Sequence, residues 1–340
     1  MAGLIEINQV GKREDLADFI SLVDMKEKPL LAMIPKGKAI ENMYMRWQAD
    51  RYETPDLSGI ADGVDVGAFE NGAKNRVELS NYCQKRRRAA FVGDLAENVS
   101  DIAGAAKGEL ARATTKKLEE LSRDIESVLC SDQDARLETS EASPYLTRGL
   151  GSWISSTAQT VLPVPSDFRT PANSLNTTST STLSEQNLRA VLKSVYQQTG
   201  RSRNLVLLCG PALKEAVTNF TASKTSTAGA DAYTFATTRT YNSDLNKKRM
   251  VTSVTVYEGD FNTVELYTSL FLAQDAGTVA AVQNARGYVI DPEMLELRWN
   301  RLPRVMPLTD AGGGPRNLVD AVFGLVVKNP LALGKFSATT

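Results

Sequence analysis

Apolar and polar residues alternate over 43–52, where Met43, Met45 and Trp47 fall on one side of an expected strand. A second strand is expected over 76–92, from Val77 and Leu79 to Phe91-Val92. Residues 53–75 between them are rich in Gly, Asp, Asn and Pro, the composition of a long loop. The three stretches together predict a long hairpin. Its return strand carries Lys85-Arg86-Arg87-Arg88 and has little apolar surface to bury. The hairpin is therefore expected to reach out of its own subunit and lie over a neighbour.

The period then changes. Over 105–131, Leu110, Ala113, Leu118, Leu121, Ile125 and Val128 recur at spacings near three and four, which predicts an amphipathic helix. At 1.5 Å per residue it is roughly 40 Å long, a spine that other elements can lie across. Its expected core face is Leu110, Leu118, Leu121, Ile125 and Val128, packed against C-terminal strands bearing Leu297, Trp299 and Val326. Lys116 with Glu120, and Glu119 with Arg123, are spaced to pair on its surface. Upstream, residues 1–40 read as an extended arm, with a short amphipathic stretch from Lys12 to Val23 broken by Pro29 and Pro35.

Beyond the helix, residues 139–183 hold Gly149, Gly151, Pro163, Pro165 and Pro171, then the low-complexity run Asn176 to Thr182, expected as a solvated connection. A regular α/β stretch follows. Ser184 is placed to cap a helix, Leu183 and Leu188 to staple it, and Gly200 to end it. Leu188, Val191, Leu192 and Val195 form its apolar face. Leu205 to Cys209 is an apolar run of strand length, and Gly210-Pro211 opens a second helix running through Phe220. A polar loop is expected over 221–248 and strands over 251–257, 263–272 and 278–283. Two long strands, Met294 to Leu308 and Leu318 to Val327, close the pattern, joined by Gly312-Gly313-Gly314-Pro315.

Composition narrows the chemistry. The 340 residues are 42% hydrophobic, enough for one large core or two modest ones. Lys plus Arg is 39 and Asp plus Glu is 40, a net charge of -1, whereas a DNA-gripping protein needs a basic excess to neutralise phosphates. There is no histidine, which removes Ser-His-Asp, Cys-His and His-metal arrangements. Cys83, Cys130 and Cys209 are far apart and odd in number, as expected of reduced, partly buried thiols. The start of the chain lacks a signal-peptide pattern, and no run reaches the ~18 apolar residues that span a membrane. These features imply a cytoplasmic protein.

No motif for catalysis stands out. Gly312 to Pro315 lacks the Lys and following helix of a phosphate loop and reads as a turn. Asp124 with Glu126, and Asp132 with Asp134, read as solvated helix-end acids. No catalytic, cofactor or metal site is expected. The basic run Lys85 to Arg88 is assigned to salt bridges between subunits, ahead of nucleic-acid contact or a solvated face, because no aromatic platform accompanies it.

Arm, hairpin, long helix, α/β unit and two long strands, in that order, resemble the Hong Kong 97-type capsid fold of tailed double-stranded DNA phages. Within that fold, six motifs resemble those of a phage major capsid protein family. They are Arg46-Trp47-Gln48-Ala49-Asp50, Arg76 with Asn81-Tyr82-x-Gln84, and Glu119-x-x-x-Arg123-Asp124-Ile125-Glu126. The others are Arg148-Gly149-Leu150-Gly151-Ser152-Trp153-Ile154, Tyr257-Glu258-Gly259-Asp260-Phe261 and Lys328-Asn329-Pro330-x-Ala332. Cys83 and the basic strand beyond it depart from that pattern.

The resemblance covers about residues 41–336 and implies an α+β subunit with five parts. These are an N-terminal arm over 1–40, an extended hairpin loop over 41–97, a peripheral domain with the spine helix over 98–183, an axial domain over 184–292, and peripheral-domain strands over 293–340. It implies hexamers and pentamers tiling an icosahedral shell that encloses double-stranded DNA without sequence-specific binding. Trp47, Asp50, Lys85, Arg86, Arg87 and Arg88 are then candidate intersubunit contacts. Portal and decoration proteins are possible partners, and a scaffolding protein, if used, is expected to be a separate chain. The protein would reside in the virion after assembly in the host cytoplasm. A nanocompartment shell of the same fold, enclosing protein cargo, is the alternative, ahead of another virion structural protein.

Overall fold

The computed structural model describes residues 27–67, 69–98, 108–180, 182–200, 204–220, 241–244, 247–250, 254–275, 278–279 and 285–337. The amphipathic stretch Lys12 to Val23 lies outside them. A short helix α1, Pro29–Met33, opens the described chain, with proline at its tolerated first position. Strands β1, Tyr44–Ala49, and β2, Val77–Tyr82, pair antiparallel, with Tyr44 opposite Tyr82 and Ala49 opposite Val77. The return strand does not run unbroken to 92. Cys83 and Gln84 are both buried, so the two-residue alternation slips there. Strand β3, Gln84–Phe91, joins a different sheet.

Further along come α2, Asp94–Asn98, the long helix α3, Glu109–Cys130, and the turn-like α4, Leu150–Trp153. Strand β4, Leu175–Asn176, falls inside the stretch expected as a solvated connection. Its main chain pairs with a distant strand, and backbone pairing does not require a complex sequence. Helix α5, Glu185–Thr199, has Ser184 at its N-cap without a side-chain bond, and ends at Gly200 in the left-handed region at φ 62°. Leu183 and Leu188 are both buried.

Strand β5, Asn204–Cys209, and helix α6, Pro211–Asn219, follow. A hairpin of β6, Tyr241–Asp244, and β7, Lys247–Met250, lies where only a loop was expected. Next are β8, Val256–Glu258, and β9, Thr263–Thr268. The apolar run of β9 continues to 272, but Leu270–Ala273 is a 3-10 turn that buries Phe271 and Leu272. Short strands β10, Gln274–Asp275, and β11, Thr278–Val279, pair antiparallel. Last come β12, Gly287–Ile290, the long β13, Leu295–Leu308, and β14, Arg316–Val327, then β15, Gly334–Phe336.

The chain forms two compact units. Described residues of the first are 87–98, 108–121 and 303–320. Here the Glu97 carboxylate accepts the Leu110 N–H at 3.0 Å, satisfying one of the free donors at the start of α3. Lys117 pairs with Glu120 at 2.7 Å, and Arg112 with Glu109. The glycine turn is held by its own acid: Asp310 Oδ1 accepts the N–H groups of Gly312, Gly313 and Gly314 at 2.9–3.1 Å. Gly314 sits at φ 118°, and a Cβ there would lie 2.4 Å from the Val92 carbonyl oxygen. Only glycine fits that close approach.

The second unit comprises 27–86, 122–302 and 321–340. Its six-stranded sheet runs β4-β15-β12-β5-β9-β8. Pairs β5/β9 and β4/β15 are parallel, the rest antiparallel. Leu205, Leu207 and Cys209 of β5 face Leu188, Val191, Leu192 and Val195 of α5 and Leu213 and Val217 of α6 in one core cluster. A second cluster joins Met45, Cys83, Val322 and Val326, with Ile40, Met43 and Trp47 packed on it. The stretch 35–40 runs beside β13: Leu297 N–H donates to the Pro35 carbonyl, Gly37 N–H to Leu297 and Ile40 N–H to Trp299.

A three-stranded sheet in the order β13-β14-β3 has part of each strand in either unit. On α3, Leu121, Ile125 and Val128 are buried, whereas Leu110 and Leu118 are half-buried.

Candidate subunit interface

The hairpin base is anchored in its own chain, which corrects the expectation that the whole hairpin extends. Met45 and Leu79 are buried, and the Trp47 indole N–H donates to the Val327 carbonyl at 3.0 Å. Trp47 also stacks, tilted, on Trp153 at 5.7 Å between ring centroids. Alternate residues of β1 and β2 point inward and supply the apolar face that the return strand lacks. What extends is the loop. Tyr52 is 98% exposed, Leu57 97%, Ile60 85% and Phe69 92%, with Val64 and Val66 also exposed. An apolar stretch of this size left in water marks an interaction surface. Its neck is fastened by ion pairs of Arg76 with Asp50 at 3.2 Å and Lys74 with Glu53 at 2.8 Å.

A buried polar network sets the angle at which the hairpin leaves. Asn81 donates to the Thr147 hydroxyl and to the Leu325 carbonyl at 2.7 Å, while its own carbonyl oxygen accepts the N–H groups of Arg148 and Tyr82. Gln84 accepts from Gln133 at 2.9 Å and from the Thr147 N–H. Arg148 is wholly buried. Its guanidinium donates to Asp134 at 2.7 Å and to the carbonyls of Val161 and Leu162, and lies 4.8 Å above the Trp153 ring. Burial pushes its pKa down, against the pull of Asp134. Gly149 turns the chain tightly here: a Cβ would meet the Ser131 carbonyl oxygen at 2.3 Å.

A second clamp uses Glu126 of α3. The side chain is fully buried and its two oxygens accept the N–H groups of Leu30 and Leu31 at 2.9 and 2.7 Å, capping α1. Burial raises its pKa to about 7, against those two hydrogen bonds and nearby Lys28. Glu126 is thus no solvated helix-end acid. Nor is Asp134, which is half-buried and pairs with Arg148, whereas Asp132 is exposed and pairs with Arg286 and Lys335.

The remaining candidates lie on β3. Lys85, Arg87 and Arg88 are exposed and Arg86 is half-buried. Arg88 comes within 4.0 Å of Glu120. Asp50 is exposed at the loop neck, and Trp47 is half-buried. Sequence reasoning passed over Leu57, Ile60, Val64, Val66 and Phe69. Their signal was bulky apolar residues scattered among Gly and Asp without a helical or strand period. Among the described residues, no cluster of His, Cys, Asp and Glu could hold a metal ion, and no helix is long and apolar enough to cross a membrane. The three thiols are buried, and burial raises their pKa: Cys83 to about 12, Cys209 to about 11, and Cys130 well above the ordinary range.

The family model described as SU10 major capsid protein matches residues 5–340. Solved structures resemble the chain along nearly its whole length. The capsid of a native GTA particle matches with a TM-score of 0.62 at 9% identity, covering 98% of each chain. The capsid of cyanophage P-SCSP1u matches with a TM-score of 0.58 at 11% identity, covering 96% of this chain and 93% of that one. The holo-SrpI encapsulin complex from Synechococcus elongatus PCC 7942 matches with a TM-score of 0.53 at 9% identity, covering 96% and 92%. No curated protein sequence matches.

Proposed function

We infer what this protein does from one premise: the chain belongs to the SU10 major capsid protein family. Its fold is the Hong Kong 97-type α+β capsid fold. It is a structural protein of a phage capsid, not an enzyme, and its activity is self-association into a shell.

The finer reading goes further. Copies associate as hexamers and pentamers that tile an icosahedral shell, and the shell encloses double-stranded DNA without sequence-specific contact. The exposed apolar loop over 50–76 crosses to a neighbouring copy. That loop carries the reading, because its bulky side chains find no cover among the described residues. The arm, the peripheral part built on α3 with β13 and β14, and the axial part built on the six-stranded sheet are the mechanical pieces. The -1 net charge suits enclosure of DNA more than tight binding of it.

The encapsulin likeness supports a second reading, a shell around protein cargo. Expression in a bacterial host, particle purification and electron microscopy test the assembly. Closed shells with five-fold and six-fold capsomers are expected, and a persistently monomeric protein would overturn it. Particles from infected cells that hold DNA favour the phage shell, and particles that hold only a second protein favour the nanocompartment.

A further inference from the structure

The sequence holds a single Asn-Gly pair, Asn71-Gly72, and it lies in the exposed stretch that leads into β2. The two residues and the Ala73 and Lys74 that follow are all exposed. They form a turn. The Lys74 N–H donates to the Asn71 main-chain carbonyl at 3.0 Å, and the Arg76 N–H donates to that of Ala73. The ion pairs of Lys74 with Glu53 and of Arg76 with Asp50 hold the far end of the turn.

This turn brings an electrophile and a nucleophile together. The Asn71 side-chain oxygen accepts the Ala73 N–H at 3.1 Å, which closes the side-chain amide over the peptide that contains the Gly72 nitrogen. The same hydrogen bond polarises the amide and would stabilise negative charge developing on its oxygen. Among the described residues, the Gly72 N–H has no partner. Glycine carries no side chain to shield that nitrogen, and a Cβ at Gly72 would meet nothing within 4 Å, so water has open access. Asn81 shows the opposite state. It is buried, its amide nitrogen donates to Thr147 and Leu325, and Tyr82 follows it.

We propose that Asn71 is a site of self-modification, at which the Gly72 nitrogen displaces the side-chain ammonia. The Gly72 main-chain nitrogen loses its proton and attacks the Asn71 side-chain carbonyl carbon. A new C–N bond forms, the bond to the side-chain nitrogen breaks, and that nitrogen leaves with the proton as ammonia. Water then opens the resulting succinimide at either carbonyl and gives aspartate or isoaspartate. The sum is amide plus water to acid plus ammonia, with no oxidant and no cofactor. Each event adds a negative charge to a stretch that, from Tyr52 to Ala73, already carries Glu53, Asp56, Asp62, Asp65 and Glu70 and neither lysine nor arginine. Isoaspartate also puts an extra carbon into the main chain of the turn. The loop therefore records the age of each copy. The proposal goes beyond the shell reading and does not depend on it.

The unaltered protein, incubated in 18O-labelled water near neutral pH and digested with trypsin, tests it. Cleavage after Arg51 and Lys74 releases residues 52–74 as one peptide. A sample digested without incubation fixes what digestion itself contributes. With incubation the peptide should exchange its Asn71 amide for an acid, take up the heavy oxygen, and split into aspartate and isoaspartate forms. The rate should rise with pH, because the attacking nitrogen must lose its proton. Gly72→Ala should keep the circular dichroism, since its Cβ meets open space, yet slow the change about ten-fold by crowding that nitrogen. The peptide containing Asn81 should stay unchanged throughout. An unaltered 52–74 peptide, an equal rate in Gly72→Ala, or aspartate without isoaspartate would each overturn the proposal. Shell formation by the same protein is scored separately, so neither result decides the other.

Discussion

Glu126 offers a sharp test of how the N-terminal segment is held. Its carboxyl is fully buried and caps α1 through the N–H groups of Leu30 and Leu31. Its folded pKa is about 7 against an ordinary 4.5. Between those values the folded protein therefore holds a proton that the unfolded chain has released. The stability tied to this group is complete below about pH 4.5 and is lost as pH rises through 7. The shift of about 2.5 pH units corresponds to about 3 kcal/mol at most. No histidine obscures the window, so apart from the N-terminal amine little else titrates between pH 5.5 and 8.

The unassembled protein should thus have a lower urea midpoint at pH 8 than at pH 5.5. Glu126→Gln should flatten that slope, because an amide does not titrate. It should also cost about 1 kcal/mol at pH 5.5, since the amide nitrogen cannot accept the second N–H. Hydrogen exchange at Leu30 and Leu31, corrected for intrinsic rates, should show the same pH trend in the unaltered protein only. A midpoint that rises with pH, or a Gln variant that keeps the original slope, would refute a protonated clamp.

Three other outcomes follow from the packing. Arg148→Met leaves Asp134 and two carbonyls without their partner and should lower stability by about 3–5 kcal/mol in urea titration, so a loss under about 1 kcal/mol would contradict the network. Leu121→Asp buries a charge without a partner, costs several kcal/mol, and should yield insoluble or unfolded protein; a soluble variant with normal circular dichroism would show that face to be exposed. Gly314→Ala meets the Val92 carbonyl and the Asp94 N–H, whereas Gly312→Ala meets open space. The first should lower the melting temperature by more than the second, and equal melting temperatures would count against the close approach.

The fold class and the shell function were legible because they are written in periodicity and in the order of elements. The 3.6-residue period from Leu118 to Val128 marks α3, and the apolar run Leu205 to Cys209 marks β5. The short strands were hidden. Strands β4, β12 and β15 have two to four residues each, too few to display a period, and they owe their place to backbone pairing between distant segments. The slip at Cys83 was also invisible, since it depends on two consecutive buried residues and not on composition. Asn81, Gln84 and Arg148 stood out as family motifs, yet spacing could not show that they meet: Asn81 and Arg148 are 67 residues apart and joined by one hydrogen bond. The loop betrays little to a search for regular elements, because its apolar side chains follow no period.

The placement of β15 has a consequence for synthesis. It lies inside the six-stranded sheet, between β4 and β12, although it is made after both. Strand β4 cannot join that sheet until residues 334–336 have left the ribosome. Domains generally fold as units while the chain grows, but this sheet keeps a gap open until β15 is made. A nascent chain stalled before residue 334 would expose the β12 edge and hold β4 unpaired. Such a chain would lack the strand that joins β4 to the rest of the sheet.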